Sequence, residues 1–252
     1  MAAHTPRCAP YATPVVPRHT LLVTPEVASL DEIVPDREEA RHAVRVKRIE
    51  VGDAVRVLDG EGAVIAARVA AVRPDLVLKV ESRGRADPSR PRVEVWSATP
   101  KGPRLEEMID QLSQVGASSW RPLETALGVV EPGAHKMERC ARIARESAKQ
   151  CGRAWLMRIQ PAATIDDALA SNPGVRVVVA DASGAPAASG ETASATACHS
   201  ETVRLLVGPE GGWTGAELAR FRERSADIVS FGPHVLRIET AAVVACARLV
   251  AG

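Results

Sequence analysis

Two loops near the carboxyl end of the chain carry the residue types best suited to chemistry. The first lies in residues 203–218, VRLLVGPEGGWTGAEL. There an apolar run ending at Val207 meets a helix start marked by Thr214 and Glu217, the spacing of a capping box. Between them stand Gly208, Pro209, Glu210, Gly211 and Gly212. In a parallel sheet such a loop sits at the carboxyl end of a strand, where glycines let backbone amides approach a ligand closely. The second loop follows an apolar run at 227–231 that ends in Phe231. It reads Gly232, Pro233, His234, Val235, Leu236, Arg237, Ile238, Glu239, Thr240, and leads into an alanine-rich helix. Arg237 and Glu239 beside a helix N-terminus offer a fixed cation, a carboxylate and a positive dipole end, which suits a polar ligand or a developing anion. Taken singly, the first loop is also compatible with an ordinary turn and the second with an Arg–Glu surface pair. Neither a P-loop Lys-Ser/Thr nor a GxGxxG fingerprint is present, so the common nucleotide cradles are excluded.

The elements that must position these loops follow from periodicity. Strand-like runs at 93–98, 118–123, 155–160, 175–181, 203–207 and 227–231 alternate with helical patterns at 104–115, 136–152, 165–170, 214–224 and 240–250. That alternation predicts an α/β domain with a mostly parallel sheet over 93–252. Ahead of it, one short helix and alternating segments at 54–59, 63–72 and 76–81, joined by turn signals at 59–62 and 73–75, predict a small β-rich domain over 20–90. Residues 82–92, SRGRADPSRPR, have no apolar periodicity and read as a solvated linker. Residues 182–201, rich in Ala, Ser, Gly and Thr, read as a surface loop, and residues 1–19, with four prolines, as a flexible extension.

Composition narrows the partners. The 252 residues are 46% apolar, enough for a sizeable core, yet no apolar run reaches the length of a membrane span. Five scattered cysteines without a CxxC pair indicate neither a disulfide framework nor a metal site, which fits a reducing cytoplasm. With 32 basic against 31 acidic side chains, any nucleic-acid face must be local. Two clusters qualify. Residues 136–158 hold seven basic side chains against two acidic ones. Of these, Arg139, Arg142, Arg145, Lys149 and Arg153 share about 120° of a helical wheel, opposite Ile143, Ala144, Ala148 and Cys151. A second group, Arg41, His42, Arg45, Lys47 and Arg48, lies on and just after the first helix of the small domain. Such stripes also occur as merely solvated faces.

GPEGG at 208–212 followed by LRIETA at 236–241 closely resembles the RsmE family of 16S ribosomal RNA methyltransferases. The resemblance extends to Lys101-Gly102 with Arg104 and Leu105, Gln114-Val115-Gly116, Ile143-Ala144-Arg145-Glu146, Gln150-Cys151-Gly152-Arg153, and His42, Val44 and Arg45 ahead of Val51-Gly52-Asp53. It covers nearly everything from residue 18 onward. It implies a SPOUT-class domain with a C-terminal trefoil knot, an N-terminal PUA-like β-barrel and an obligate homodimer. It also implies S-adenosylmethionine lying against Val207, Gly208, Pro209, Glu210, Gly211, Gly212, Phe231, Gly232, Val235, Leu236 and Thr240, and methylation of N3 of uridine 1498 in 16S rRNA of the small subunit.

That chemistry gives the residues roles. N3 of uracil is nucleophilic once deprotonated, and Arg237 is expected to stabilise the resulting anion. Glu239 and Glu210 are candidate bases or orienting groups. RNA contacts are expected from His42, Arg45, Arg48, Lys101, Arg142, Arg145, Lys149 and Arg153, with no metal. Two departures touch the site: His234 stands where the family commonly has arginine, and Asp110-Gln111 with Gln114 replace a more charged pattern. Alternatives left open are a different RNA target and an RNA-binding or ribosome-assembly factor without catalysis.

Overall fold

The structure, a computed structural model, describes residues 19–129, 131–170, 172–187 and 201–250. The small domain is a five-stranded sheet of order β1-β3-β4-β5-β2. Its strands are β1 (His19–Leu22), β2 (Glu32–Ile33), β3 (Ala54–Leu58), β4 (Ala63–Ala71) and β5 (Val77–Arg85). β1 pairs with β3 in parallel, and the remaining pairs are antiparallel. Two helices, α1 (Pro25–Ala28) and α2 (Arg37–Arg45), pack on it. α2 starts where Asp36 accepts the backbone N–H of Glu39 at 2.8 Å; acidic residues occupy its first turn and His42 and Arg45 its last, so both ends match the helix dipole. The alternating inward residues of β3 and β4, Val55, Val57, Ile65, Ala67 and Val69, close on Leu21, Ile33, Ala43 and Leu78 as one core.

The second domain is a six-stranded, wholly parallel sheet of order β11-β9-β10-β6-β7-β8. The strands are β6 (Arg92–Ser97), β7 (Ser119–Pro122), β8 (Arg158–Ile159), β9 (Val175–Pro186), β10 (Thr202–Val207) and β11 (Asp227–Ser230). Helices α3 (Arg104–Val115), α4 (Ala134–Cys151) and α7 (Ile238–Val250) cover one face; α5 (Ile165–Leu169) and α6 (Gly215–Glu223) cover the other. Alternation along β10 shows the division: Val203, Leu205 and Val207 join the α3/α4/α7 core, while Leu206 joins the α5/α6 core. Arg204, on the latter face, is buried yet satisfied. It pairs with Glu94 at 3.2 Å, donates to the Ala168 carbonyl at 2.8 Å and lies over Trp96, which Arg121 covers as well.

Several expectations need correcting. His19 opens β1, so it is not part of the expected extension; the rest of that extension lies outside the described residues. Residues 82–92 are not a free linker. β5 continues through Ser82–Arg85 against β4, and Arg83 donates to the carbonyls of Ala28 and Leu30, leaving only 86–91 as the connection. Polar side chains hid this extension, since an edge facing water needs no apolar alternation. Strand pairing in the expected 155–160 run is confined to Arg158 and Ile159, because Trp155 bridges to Glu61 of the small domain. The expected loop at 182–201 begins as strand: β9 runs on to Pro186, where Ala185 and Pro186 pair with Val229 and Ser230; residues 188–200 lie outside the description. Gly184 is what lets the strands close, since a Cβ there would lie 2.5 Å from the Ile228 backbone.

Candidate active site and nucleic-acid groove

Carboxyl ends of three adjacent parallel strands meet at one cleft of about 320 Å³. β9 contributes Ala180, Asp181 and Ala182; β10 and the loop after it contribute Val207, Gly208, Pro209, Glu210, Gly211, Gly212 and Trp213. The β11 loop contributes Ser230, Phe231, Gly232, His234, Val235 and Leu236, and α7 closes the cleft with Ile238 and Ala241. Ten of the eleven expected cofactor residues therefore share one cavity. Thr240 is exposed on α7 and is not among the lining residues.

Local chemistry fixes this geometry. Trp213 Nε1 donates to the Ala180 carbonyl at 3.1 Å, stapling the β10 loop to the middle of β9, and its ring meets Phe221 edge-on at 4.9 Å. A Cβ at Gly208 would come within 2.9 Å of the Trp213 ring, so the glycine is required by that close approach. The expected capping box is present: Thr214 Oγ1 accepts from the Glu217 N–H, while Glu217 Oε2 accepts the Thr214 N–H at 2.7 Å. Glu217 does more, because its other oxygen accepts the Ala126 N–H at 2.9 Å and draws the segment after β7 toward the cleft. Sequence reading missed Trp213, Ala180, Asp181 and Ala182. The available signal was topological, since β9 borders β10 and any ligand at one carboxyl end reaches its neighbour.

Arg237 is exposed immediately before α7. The helix begins at Ile238, two residues earlier than expected, so Glu239 falls inside its first turn, and it does not pair with Arg237. It faces Arg104 instead: the two are 3.9 Å apart, and Glu239 Oε2 is buried without a hydrogen-bond partner among the described residues. This contact ties the turn holding Lys101, which is exposed at the carboxyl end of β6, to the start of α7. Glu210 is exposed at the cleft.

The two basic clusters converge on a groove of about 640 Å³ between α2 and α4, lined by Arg41, His42, Arg45, Arg142 and Arg145. Arg48 is exposed just beyond α2 but is not among the lining residues. Two expected RNA contacts are overturned. Lys149, only 6% exposed, lies 2.9 Å from Glu39 and 2.7 Å from Glu146; burial disfavours its charge, but the hydrogen bonds it donates to Glu146 and Glu39 outweigh that and raise its pKa. Arg153 turns inward and caps α3, donating to the carbonyls of Ser113 at 2.8 Å, Gly116 at 3.2 Å and Ala117 at 2.7 Å. Burial lowers its pKa. Lys47 is also engaged, donating to the Thr20 carbonyl at 2.7 Å, and Arg139 pairs with Glu106 at 2.6 Å. A helical wheel counts charges on a face without knowing that another domain covers part of it.

Among the described residues, no cluster of His, Cys, Asp and Glu is arranged to hold a metal. Nor is any described helix long and apolar enough to cross a membrane.

Comparisons with known proteins place this architecture. A family model described as an RNA methyltransferase domain matches residues 87–250, and one described as an RNA methyltransferase PUA domain matches residues 34–81. The chain is 33% identical to ribosomal RNA small subunit methyltransferase E of Mycobacterium bovis over 84% of its length and 83% of the relative. It is 28% identical to the Synechocystis protein of the same name over 92% of its length and 77% of that relative. Its fold is similar to the crystal structure of a Neisseria gonorrhoeae ribosomal RNA small subunit methyltransferase E bound to S-adenosyl methionine, with a TM-score of 0.79 at 20% identity, covering 91% and 95% of the two chains. With an RNA methyltransferase domain matched over 87–250, a PUA domain ahead of it and relatives matched along most of its length, the chain belongs to the RsmE family of ribosomal RNA methyltransferases.

Proposed function

We propose that the cleft at the ends of β9, β10 and β11 holds S-adenosylmethionine and that the methyl is delivered to N3 of uridine 1498 in 16S rRNA. Membership of the family makes the chain an S-adenosylmethionine-dependent rRNA methyltransferase; the base and the atom are the finer part of this reading. The observation that carries it is the convergence of the GPEGG and LRIETA loops on one cavity.

The cavity fits the cofactor's chemistry. Apolar Val207, Phe231, Val235 and Leu236 suit an adenine face, and the backbone of the glycine loop suits polar groups of the nucleoside and amino acid. When bound, the cofactor supplies an electrophilic methyl on a sulfonium. This chain's part is alignment and electrostatics. Arg237, exposed immediately before α7 and not among the cleft's lining residues, is assigned the role of a cation that steadies the uracilate, with the dipole at the start of α7 adding to it. Glu239, held against Arg104, orients the 101–104 turn and is not aimed into the cleft. Arg45, Arg142, Arg145, His42, Arg48 and Lys101 contact RNA phosphates. The working form is a cytoplasmic homodimer, and its α/β domain carries the trefoil threading of the SPOUT class.

Calorimetric titration with S-adenosylmethionine, followed by methylation of purified small subunits with nucleotide mapping, tests this reading. Saturable binding and a single methyluridine are expected. Absence of binding, or a methyl on tRNA alone, overturns it.

A further inference from the structure

The groove between α2 and α4 is assembled from two domains, and its floor is a buried ion pair. Glu39 comes from α2 and Lys149 from α4, their charged atoms 2.9 Å apart and their side chains 10% and 6% exposed. Each carboxylate oxygen of Glu39 is used, one by Lys149 and the other by the Leu22 N–H at 3.2 Å. Glu146 at 2.7 Å gives Lys149 a second carboxylate. Fixed geometry of this kind does not follow from a need for stability, because a buried pair rarely outperforms apolar packing; its best-attested use is to set register.

Above that floor stand two walls. Arg41 and Arg45 rise from α2, and Arg142 and Arg145 from α4, with His42 between them. All four arginines are exposed, and none forms an ion pair among the described residues. Of the five carboxylates lining the groove, Glu39 and Glu146 hold Lys149, Asp36 caps α2, and Glu138 stands exposed 3.6 Å from His135. Glu38 is the remaining one. The lining as a whole holds five Lys and Arg side chains against five carboxylates; what sets it apart is that its four arginines stand exposed and without ion-pair partners among the described residues, on two facing helices that the buried pair joins.

We propose that Glu39 and Lys149 are positioning residues that hold the two arginine walls in register for one RNA backbone, so that both domains engage the substrate as a single preorganised site. This rests on the RNA-methyltransferase reading. Without the pair, the domains stay joined through Ala154, Trp155 and Leu156, but α2 and α4 lose the contact that fixes the spacing of their arginines, and that spacing must be set at the moment of binding.

The test measures steady-state methylation of small subunits, cofactor affinity by calorimetry, and RNA retention on a filter without cofactor. The double variant Glu39→Gln/Lys149→Met is expected to raise KM for the subunit and weaken RNA retention by about tenfold, with kcat and cofactor affinity within about twofold of the parent. Lys149→Arg is expected to retain most of the parent KM. Because the double variant can fail to fold, Glu39→Gln alone, which keeps an acceptor for Leu22 and Lys149, provides a milder arm with a smaller rise in KM. Combining it with the surface variant Arg142→Gln/Arg145→Gln completes a cycle: positioning predicts that the two losses are less than additive. Strictly additive losses, or a fall in kcat at unchanged KM, overturn the proposal. A parent protein that retains RNA but transfers no methyl contradicts the function while leaving the filter test of positioning intact.

Discussion

The cleft at the strand ends and the interdomain groove are both concave, and they are built in opposite ways. The cleft is made by backbone and small side chains drawn from three adjacent strand ends of one sheet, and its shape depends on what is absent, as at Gly208 against the Trp213 ring. The groove is made by long charged side chains from two helices about a hundred positions apart in sequence, one in each domain. The first is rigid because strand register fixes it. The second is held by contacts between the domains, the buried pair beneath it and the packing of Trp155 against the small domain among them. The cleft proposed to align a small cofactor sits on the continuous sheet, whereas the groove proposed to follow a polyanion is assembled across two domains.

Substitutions that separate the two regions sharpen the contrast. Arg237→Ala has the largest expected effect, a fall in kcat of about 100- to 1000-fold with cofactor affinity unchanged, read by single-turnover methyl transfer. Gly208→Val comes next. Its side chain displaces a ring fixed by the Ala180 carbonyl, and cofactor affinity measured by calorimetry is expected to drop about 100-fold. Arg142→Gln/Arg145→Gln leaves cofactor binding untouched, raises KM for the subunit about tenfold, and lowers the slope of log affinity against log salt by about one per arginine. The smallest change is expected of His234→Arg, at the exposed rim of the cleft: RNA affinity improves about two- to threefold and kcat is constant. A Gly208 effect confined to RNA binding, or an arginine effect confined to the cofactor, breaks the distinction.

The same contrast explains what sequence made legible. Glycine loops between a strand and a capped helix leave a local signature, and so GPEGG, Thr214, Glu217 and the second loop are readable from the chain. α3 coincides with the helical pattern at 104–115, because its apolar stripe and the glycine that ends it lie within one segment. Lys149 and Arg153 were misread because their partners, Glu39 and the carbonyls at the end of α3, lie far away in sequence. Trp155 reads as a strand residue, yet it packs against Gly62 and donates to the Ala86 carbonyl across the domain boundary. The strand extensions at 82–85 and 182–186 were hidden in polar or small residues whose pairing is dictated by β4 and β11.

Modification mapping of 16S rRNA by mass spectrometry, from cells with and without the gene, tests most directly the proposed transfer of one methyl to one uridine. The expected result is a single methyl at N3 of uridine 1498, lost on deletion, restored by the intact protein and not by Arg237→Ala. An unchanged methyl at that position after deletion, or loss of a modification elsewhere with that uridine intact, would contradict it.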